Sequence, residues 1–150
     1  KMNPPLRSRE DVEALRAGLK DGTIDCVATD HAPQSTVEKD VEFDKAANGI
    51  IGFETAFSLI YGLVLEGVFT IGEAVKAMTI NPAKIFGLNT GRLSVGSPAD
   101  IAIIDLESVW TVEPSKLRSK SKNTPYAGRE LKGKVVKTIL GGNVVFSAGE

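Results

Sequence analysis

The side chains with the most chemical capacity cluster early in this chain of 150 residues. Asp30, His31 and Gln34 lie within five positions, Asn48 and Gly49 follow after a loop, and Asn3 precedes a double proline. Asp30 closes the run Ile24-Asp25-Cys26-Val27-Ala28-Thr29-Asp30, short and rich in β-branched and small residues, which suits a buried parallel strand. In a parallel α/β barrel the C-terminal end of such a strand points into the active site. A carboxylate there can bind a metal or act as a general base, its pKa tuned by a nearby cation. The same residue can instead do no more than cap the turn before Pro33. His31 is the one histidine. A lone histidine more often makes structural hydrogen bonds than ligates, so it is read as steadying the site. Asn3 could hydrogen-bond a substrate carboxylate or amide from the turn set by Pro4-Pro5, or simply form that turn. Gln34, Asn48 and Gly49 border a long polar loop and are, locally, ordinary loop residues.

A catalytic zinc site needs about three protein ligands, mostly His, Cys and carboxylate. One histidine and one cysteine cannot furnish two metals, so if metals are involved most of their ligands are expected upstream of this chain. The start points the same way: Lys1-Met2-Asn3-Pro4-Pro5 enters a proline turn without a leading element, and an upstream portion is expected. Cys26 has no internal partner for a disulfide, which fits a reducing cytosol and a cytoplasmic location. Apolar residues at 42% and charged residues at 25% are values of a globular domain. Net charge is −1 with the basic residues dispersed, which speaks against a nucleic-acid footprint. No run of about 18 apolar residues occurs, which speaks against a membrane span. Gly91 to Ser97 has a phosphate-loop-like spacing but no lysine and no strand leading into it, so it is rejected as a phosphate loop.

The elements that must position these residues follow from caps and periodicity. Ser8 with Asp11 three residues on reads as a capping box, Val12, Leu15 and Leu19 follow at helical spacing, and Gly22 is a fitting stop. After the strand, Gln34 to Asn48 reads as a long polar loop, of a size that is usually functional or mobile. Phe53 to Leu65 is apolar almost all round and predicts a buried helix. Thr70 and Glu73 form a second capping box, for a helix to about Met78, and Asn81-Pro82 predicts an N-cap and first turn for a short helix ending at Phe86. Beyond Asn89 the texture becomes β: Ile101 to Leu106, Lys134 to Leu140 and Asn143 to Phe146, with Gly141-Gly142 as a hairpin signal. Trp110 and Tyr126 read as packing anchors of this part. The boundary is placed near residue 90.

Two segments, Asn3-Pro4-Pro5-Leu6-Arg7 and Asp25-Cys26-Val27-Ala28-Thr29-Asp30-His31-Ala32-Pro33, together resemble the dihydroorotases of the longer bacterial type. Gly49-Ile50-Ile51-Gly52-Phe53-Glu54-Thr55-Ala56-Phe57 is similar to the segment after that family's substrate loop. Gly96-Ser97-Pro98-Ala99-Asp100-Ile101 with Asp105, then Asn123-Thr124-Pro125-Tyr126 and Gly141-Gly142, resembles the C-terminal β-domain of amidohydrolases generally.

The resemblance implies an α/β fold: the last βα units of a TIM-barrel metal-dependent hydrolase over residues 1–89, then part of a small β-sandwich domain over 90–150. It implies the zinc-dependent, reversible cyclisation of N-carbamoyl-L-aspartate to L-dihydroorotate in de novo pyrimidine (UMP) synthesis. Asp30 then matches the aspartate that contacts the metal and shuttles a proton. Asn3 matches a substrate-binding asparagine, and Asn48 and Gly49 fall where main-chain groups hold the ring. Gln34 falls where the family usually has a second histidine. Glutamine keeps hydrogen-bonding capacity but carries no positive charge, which weakens carboxylate binding or replaces it by an amide N–H bond. The implied partners are the substrate, the missing N-terminal part of the same protein, and a homodimer or aspartate transcarbamoylase. The other readings are an allantoinase or dihydropyrimidinase-type cyclic amidohydrolase, and a catalytically silent dihydroorotase-like subunit supporting aspartate transcarbamoylase.

Overall fold

The computed structural model describes residues 1–149. Helix α1 (Arg9–Asp21) opens as its spacing predicts. Ser8 Oγ accepts the Asp11 N–H, the Asp11 carboxylate accepts the Ser8 N–H, and Gly22 stops the helix. The next segment departs from expectation: residues 24–30 form no regular element and carry no strand pairing. A parallel strand exists only through its neighbours, and every strand among the described residues lies in the C-terminal sheet. Part of the backbone of 24–30 is satisfied otherwise. Val27 N–H donates to the Ala77 carbonyl at 3.1 Å, and Asn81 Nδ2 donates to the Asp25 carbonyl at 2.8 Å.

The polar segment 34–48, expected as loop, contains a short helix, α2 (Thr36–Lys39), opened by a third capping box between Ser35 and Glu38. Helix α3 (Ala56–Leu65) buries only Ser58 and Tyr61, while Phe53 is 69% and Leu65 55% exposed. The expected all-round burial is therefore not observed, because within these residues α3 packs mainly on one sheet strand and on the following helix. Helix α4 (Ile71–Met78) carries the predicted Thr70–Glu73 box. Helix α5 (Ile80–Ile85) starts two residues earlier than predicted, since the Asn81 side chain is spent on the Asp25 carbonyl rather than on an N-cap. No helix among the described residues is long and apolar enough to cross a membrane.

The box carboxylates give a pH dependence. The Glu38 carboxyl titrates below its ordinary value because the Ser35 hydroxyl and N–H donate to it. Glu73 is lowered by the Thr70 N–H and then its hydroxyl. A carboxyl lowered in the folded state stabilises above its unfolded pKa, and that contribution disappears as pH falls through the folded value. Glu73→Gln is thus expected to lower Tm near neutral pH and to lose that effect in acid, which thermal melts across pH 3 to 7 would check.

Strands β1 (Ile101–Thr111), β2 (Glu130–Leu140) and β3 (Asn143–Ser147) form an antiparallel sheet in the order β1-β2-β3, with Gly141-Gly142 making the hairpin. β1 runs past the predicted Leu106. Its pairing is interrupted after Asp105, whose carboxylate takes the Glu107 and Ser108 N–H groups, and resumes from Val109 to Thr111. The core joins both halves of the sequence: Ile51, Val112, Leu117 and Leu131 are buried together, with Leu59, Trp110 and Tyr126 packed against them. Trp110 and Tyr126 are thus packing anchors, as their types suggest.

The α3–β2 contact is close. Ser58 Oγ donates to the Gly133 carbonyl and accepts Trp110 Nε1–H at 3.1 Å. Gly133 has φ 83°, and a Cβ there would lie 2.8 Å from Tyr61 Cδ1. Gly133→Ala is expected to cost about 2 kcal/mol or more, from the left-handed backbone plus the ring contact, read as a fall in Tm.

Candidate active site

Asp30 ends this segment with φ 45°, the one non-glycine residue in the left-handed region among those described. That conformation costs roughly 1–2 kcal/mol, less for Asp than for most residues, so neighbouring contacts must hold it. His31 supplies them. Its Nδ1 accepts the Gly52 N–H at 3.0 Å and the Phe53 N–H at 3.4 Å, and its ring stacks on Phe53 with centroids 3.9 Å apart and planes 9° from parallel. With Nδ1 accepting, a neutral ring carries its proton on Nε2. One residue on, Ala32 N–H donates to the Ile50 carbonyl at 2.9 Å. His31 therefore ties the Asp30–Pro33 turn to Ile50–Phe53, the steadying role that its chemistry suggests.

The ends of segment 34–48 meet at the same place. Gln34 Nε2 donates to the Asn48 carbonyl at 3.2 Å. Lys39 Nζ reaches back to the Ala47 and Gly49 carbonyls at 2.9 and 3.0 Å, and Gly49 N–H donates to the Lys1 carbonyl at 2.9 Å. Gly49 has φ 104°, and a Cβ on it would collide with the Ala32 side chain. Across this base lies Asn123. Its Nδ2 donates to the Ala32 and Gly49 carbonyls at 3.0 and 3.1 Å, and its Oδ1 accepts the Gln34 N–H at 3.3 Å.

The structure thus brings Gln34, Asn48 and Gly49 together and draws in the start of the chain at Lys1. Asn3 is exposed, before a cis Asn3–Pro4 bond. Asp30 is exposed and lines neither of two clefts. One is small, between His31 and Leu117; the other, about 310 Å³, is bounded by Gln34, Ser35, Lys39, Asp40, Lys122 and Asn123. A barrel mouth is walled by the ends of several strands, and only one such segment is present here. Sequence reasoning missed Asn123. It stood inside the Asn-Thr-Pro-Tyr segment, but its side-chain partners lie 74 to 91 positions away and no local pattern marks them.

Among the described residues no three His, Cys, Asp or Glu side chains gather to hold a metal, and Nδ1 of the one histidine is already engaged. These residues alone do not fit a metal centre. Purified residues 1–150 are accordingly expected to show no cyclic-amide turnover even with added zinc, measured against the full-length protein.

The model of the amidohydrolase family matches residues 3–145, and the chain belongs to that family. More particularly, it is 57% identical over 150 residues to the dihydroorotase of Anaeromyxobacter sp. (strain K), covering 100% of this chain and 35% of the relative. It is 54% identical over 149 residues to the dihydroorotase of Geobacter sp. (strain M21), covering 99% of this chain and 35% of the relative. Among solved structures it resembles L-hydantoinase (dihydropyrimidinase) from Arthrobacter aurescens, with TM-score 0.91, 35% identity, and coverage of 100% of this chain and 35% of that one. The chain spans about a third of the length of the curated relatives it matches. The fold class is the expected one, a fragment of an amidohydrolase fold with helices followed by a small antiparallel sheet, although the strand expected over 24–30 has no pairing partner among the described residues.

Proposed function

We propose that these residues are the C-terminal part of a dihydroorotase, which interconverts N-carbamoyl-L-aspartate and L-dihydroorotate in pyrimidine synthesis in the cytoplasm. The observation that carries the reading is the joining of Asp30–Pro33 to Gly49–Phe53 through His31 and the Ala32–Ile50 bond. Two of the three segments whose sequences resemble dihydroorotase are thus hydrogen-bonded into one unit. The identity to dihydroorotases across the chain supports it.

In this reading residues 1–89 belong to the barrel and 90–150 to the β-domain. Asp30 takes a proton from the attacking water and returns it to the leaving ring nitrogen, a general base and then a general acid. Asp30 would also offer one carboxylate to a zinc centre whose other ligands would come from the rest of the protein, and such a metal would supply Lewis-acid polarisation of the amide carbonyl. Asn3 and Gln34 bind the substrate through their carboxamides, and the main chain of Asn48 and Gly49 lies along the ring. Gln34→His restores a side chain able to carry positive charge and is expected to lower KM for dihydroorotate about threefold, a single surface-type charge contact. Steady-state kinetics near pH 6 would check it.

The likeness to hydantoinase structures favours a second reading, a cyclic amidohydrolase of dihydropyrimidinase type. Assay of the full-length protein on dihydroorotate, hydantoin and allantoin separates the two. Hydrolysis of hydantoin without dihydroorotate overturns the first. Loss of all three, with support of aspartate transcarbamoylase activity, identifies a silent subunit.

A further inference from the structure

We propose that Asn123 is a positioning residue for the active site, so that the β-domain completes the substrate-binding loop rather than standing beside it. The inference rests on the dihydroorotase-type reading for its substrate and on the geometry for its mechanism. A carboxamide offers two N–H donors and one carbonyl acceptor. At Asn123 all three bonds are made, two donated and one accepted, and they go to two separate limbs. One limb is Ala32 to Gln34, just after Asp30; the other is Gly49, at the far end of segment 34–48. The Asn123 main-chain carbonyl adds a fourth bond, accepting the Ile51 N–H at 3.1 Å. Asn123 is half-buried, and a partly enclosed carbonyl left without a donor is costly, so these bonds hold the spacing of the limbs.

The spacing matters because the limbs carry different jobs. The first bears the proposed proton carrier, Asp30, and the second bears the main-chain groups proposed to lie along the ring. They approach so closely at Ala32 and Gly49 that only glycine fits. A side chain bonded to both fixes one relative to the other, and so sets how the ring is held against the first limb. Asn123 itself is held from the β-domain side. Leu117 enters the core beside Val112, and Lys122 Nζ binds the Leu117 and Ser119 carbonyls at 2.6 and 2.7 Å. Glu54 in turn accepts the Arg118 and Ser119 N–H groups at 2.8 and 3.0 Å.

Asn123→Asp in the full-length protein is the test. It keeps size and the Oδ1 acceptor but turns the two donations to carbonyls into repulsion. KM for the cyclic amide is expected to rise about tenfold, with kcat changed less than about threefold. Hydrogen exchange at the Ala32 and Ile51 amides, which donate to the Ile50 and Asn123 carbonyls, is expected to speed up as the limbs part. Ser58→Ala is the control: it removes the Trp110 and Gly133 bonds at the same α3–sheet junction and is expected to lower Tm while leaving KM and those two amides unchanged. The proposal is overturned if Asn123→Asp changes only Tm, or if Ser58→Ala raises KM as much. The exchange readout needs no substrate, and a wild-type protein active on hydantoin instead of dihydroorotate would sink the substrate reading while the KM comparison proceeds on hydantoin.

Discussion

Asp30→Asn in the full-length protein is expected to cut kcat for dihydroorotate hydrolysis about a thousandfold, the scale of a lost general base. The substitution isolates the chemistry. Asparagine has the size of aspartate and is, with it, among the residues that best tolerate φ 45°. The His31 and Ala32 bonds that hold the turn do not use the Asp30 side chain. Tm should therefore stay near wild type, apart from any change in bound zinc, and KM should move far less than kcat. Asp30→Ala adds the backbone cost of a residue ill suited to a left-handed site, and so should lose stability as well. A kcat within about threefold of wild type for Asp30→Asn would remove this residue from the reaction.

Gly49→Ala should produce the next largest effect, about a hundredfold loss in kcat/KM, equivalent to about 2.7 kcal/mol. Two causes combine. The backbone sits at φ 104°, where an L side chain is strained, and the new methyl group would strike the Ala32 side chain. Relief requires the limbs to part, which breaks the Asn123 and Lys39 bonds to the Gly49 carbonyl. Gly133→Ala is the matched comparison: a similar backbone at φ 83° and a similar crowding, but against Tyr61 and Phe57 under the sheet. It should lower Tm and leave KM alone. Equal KM changes in both variants would mean that the loss at Gly49 is general destabilisation.

What could be read from the sequence was what is local. Ser8 with Asp11 and Thr70 with Glu73 announce helix starts because each box closes within four residues, and Gly141-Gly142 marks its hairpin for the same reason. Ser35 with Glu38 carried the same signature but lay in a segment too polar to suggest a helix, and α2 was read as loop. Non-local demands account for the other departures. Asn81 looks like a cap until the Asp25 carbonyl, 56 positions earlier, claims it. Residues 24–30 have the composition of a buried strand, yet pairing depends on neighbours that composition does not supply. Candidate residues for the site were legible through family resemblance. The side chain that joins its limbs was not, because a lone asparagine in a turn looks the same whether its partners are near or far.

The bond from Trp110 Nε1 to Ser58 Oγ has a practical corollary. The sequence holds a single tryptophan, so indole emission from this chain comes from one spot, where α3 rests on the sheet. A red shift on heating or in denaturant would time the separation of those two layers. Comparison with far-ultraviolet circular dichroism would then tell whether that seam opens before the helices melt or together with them.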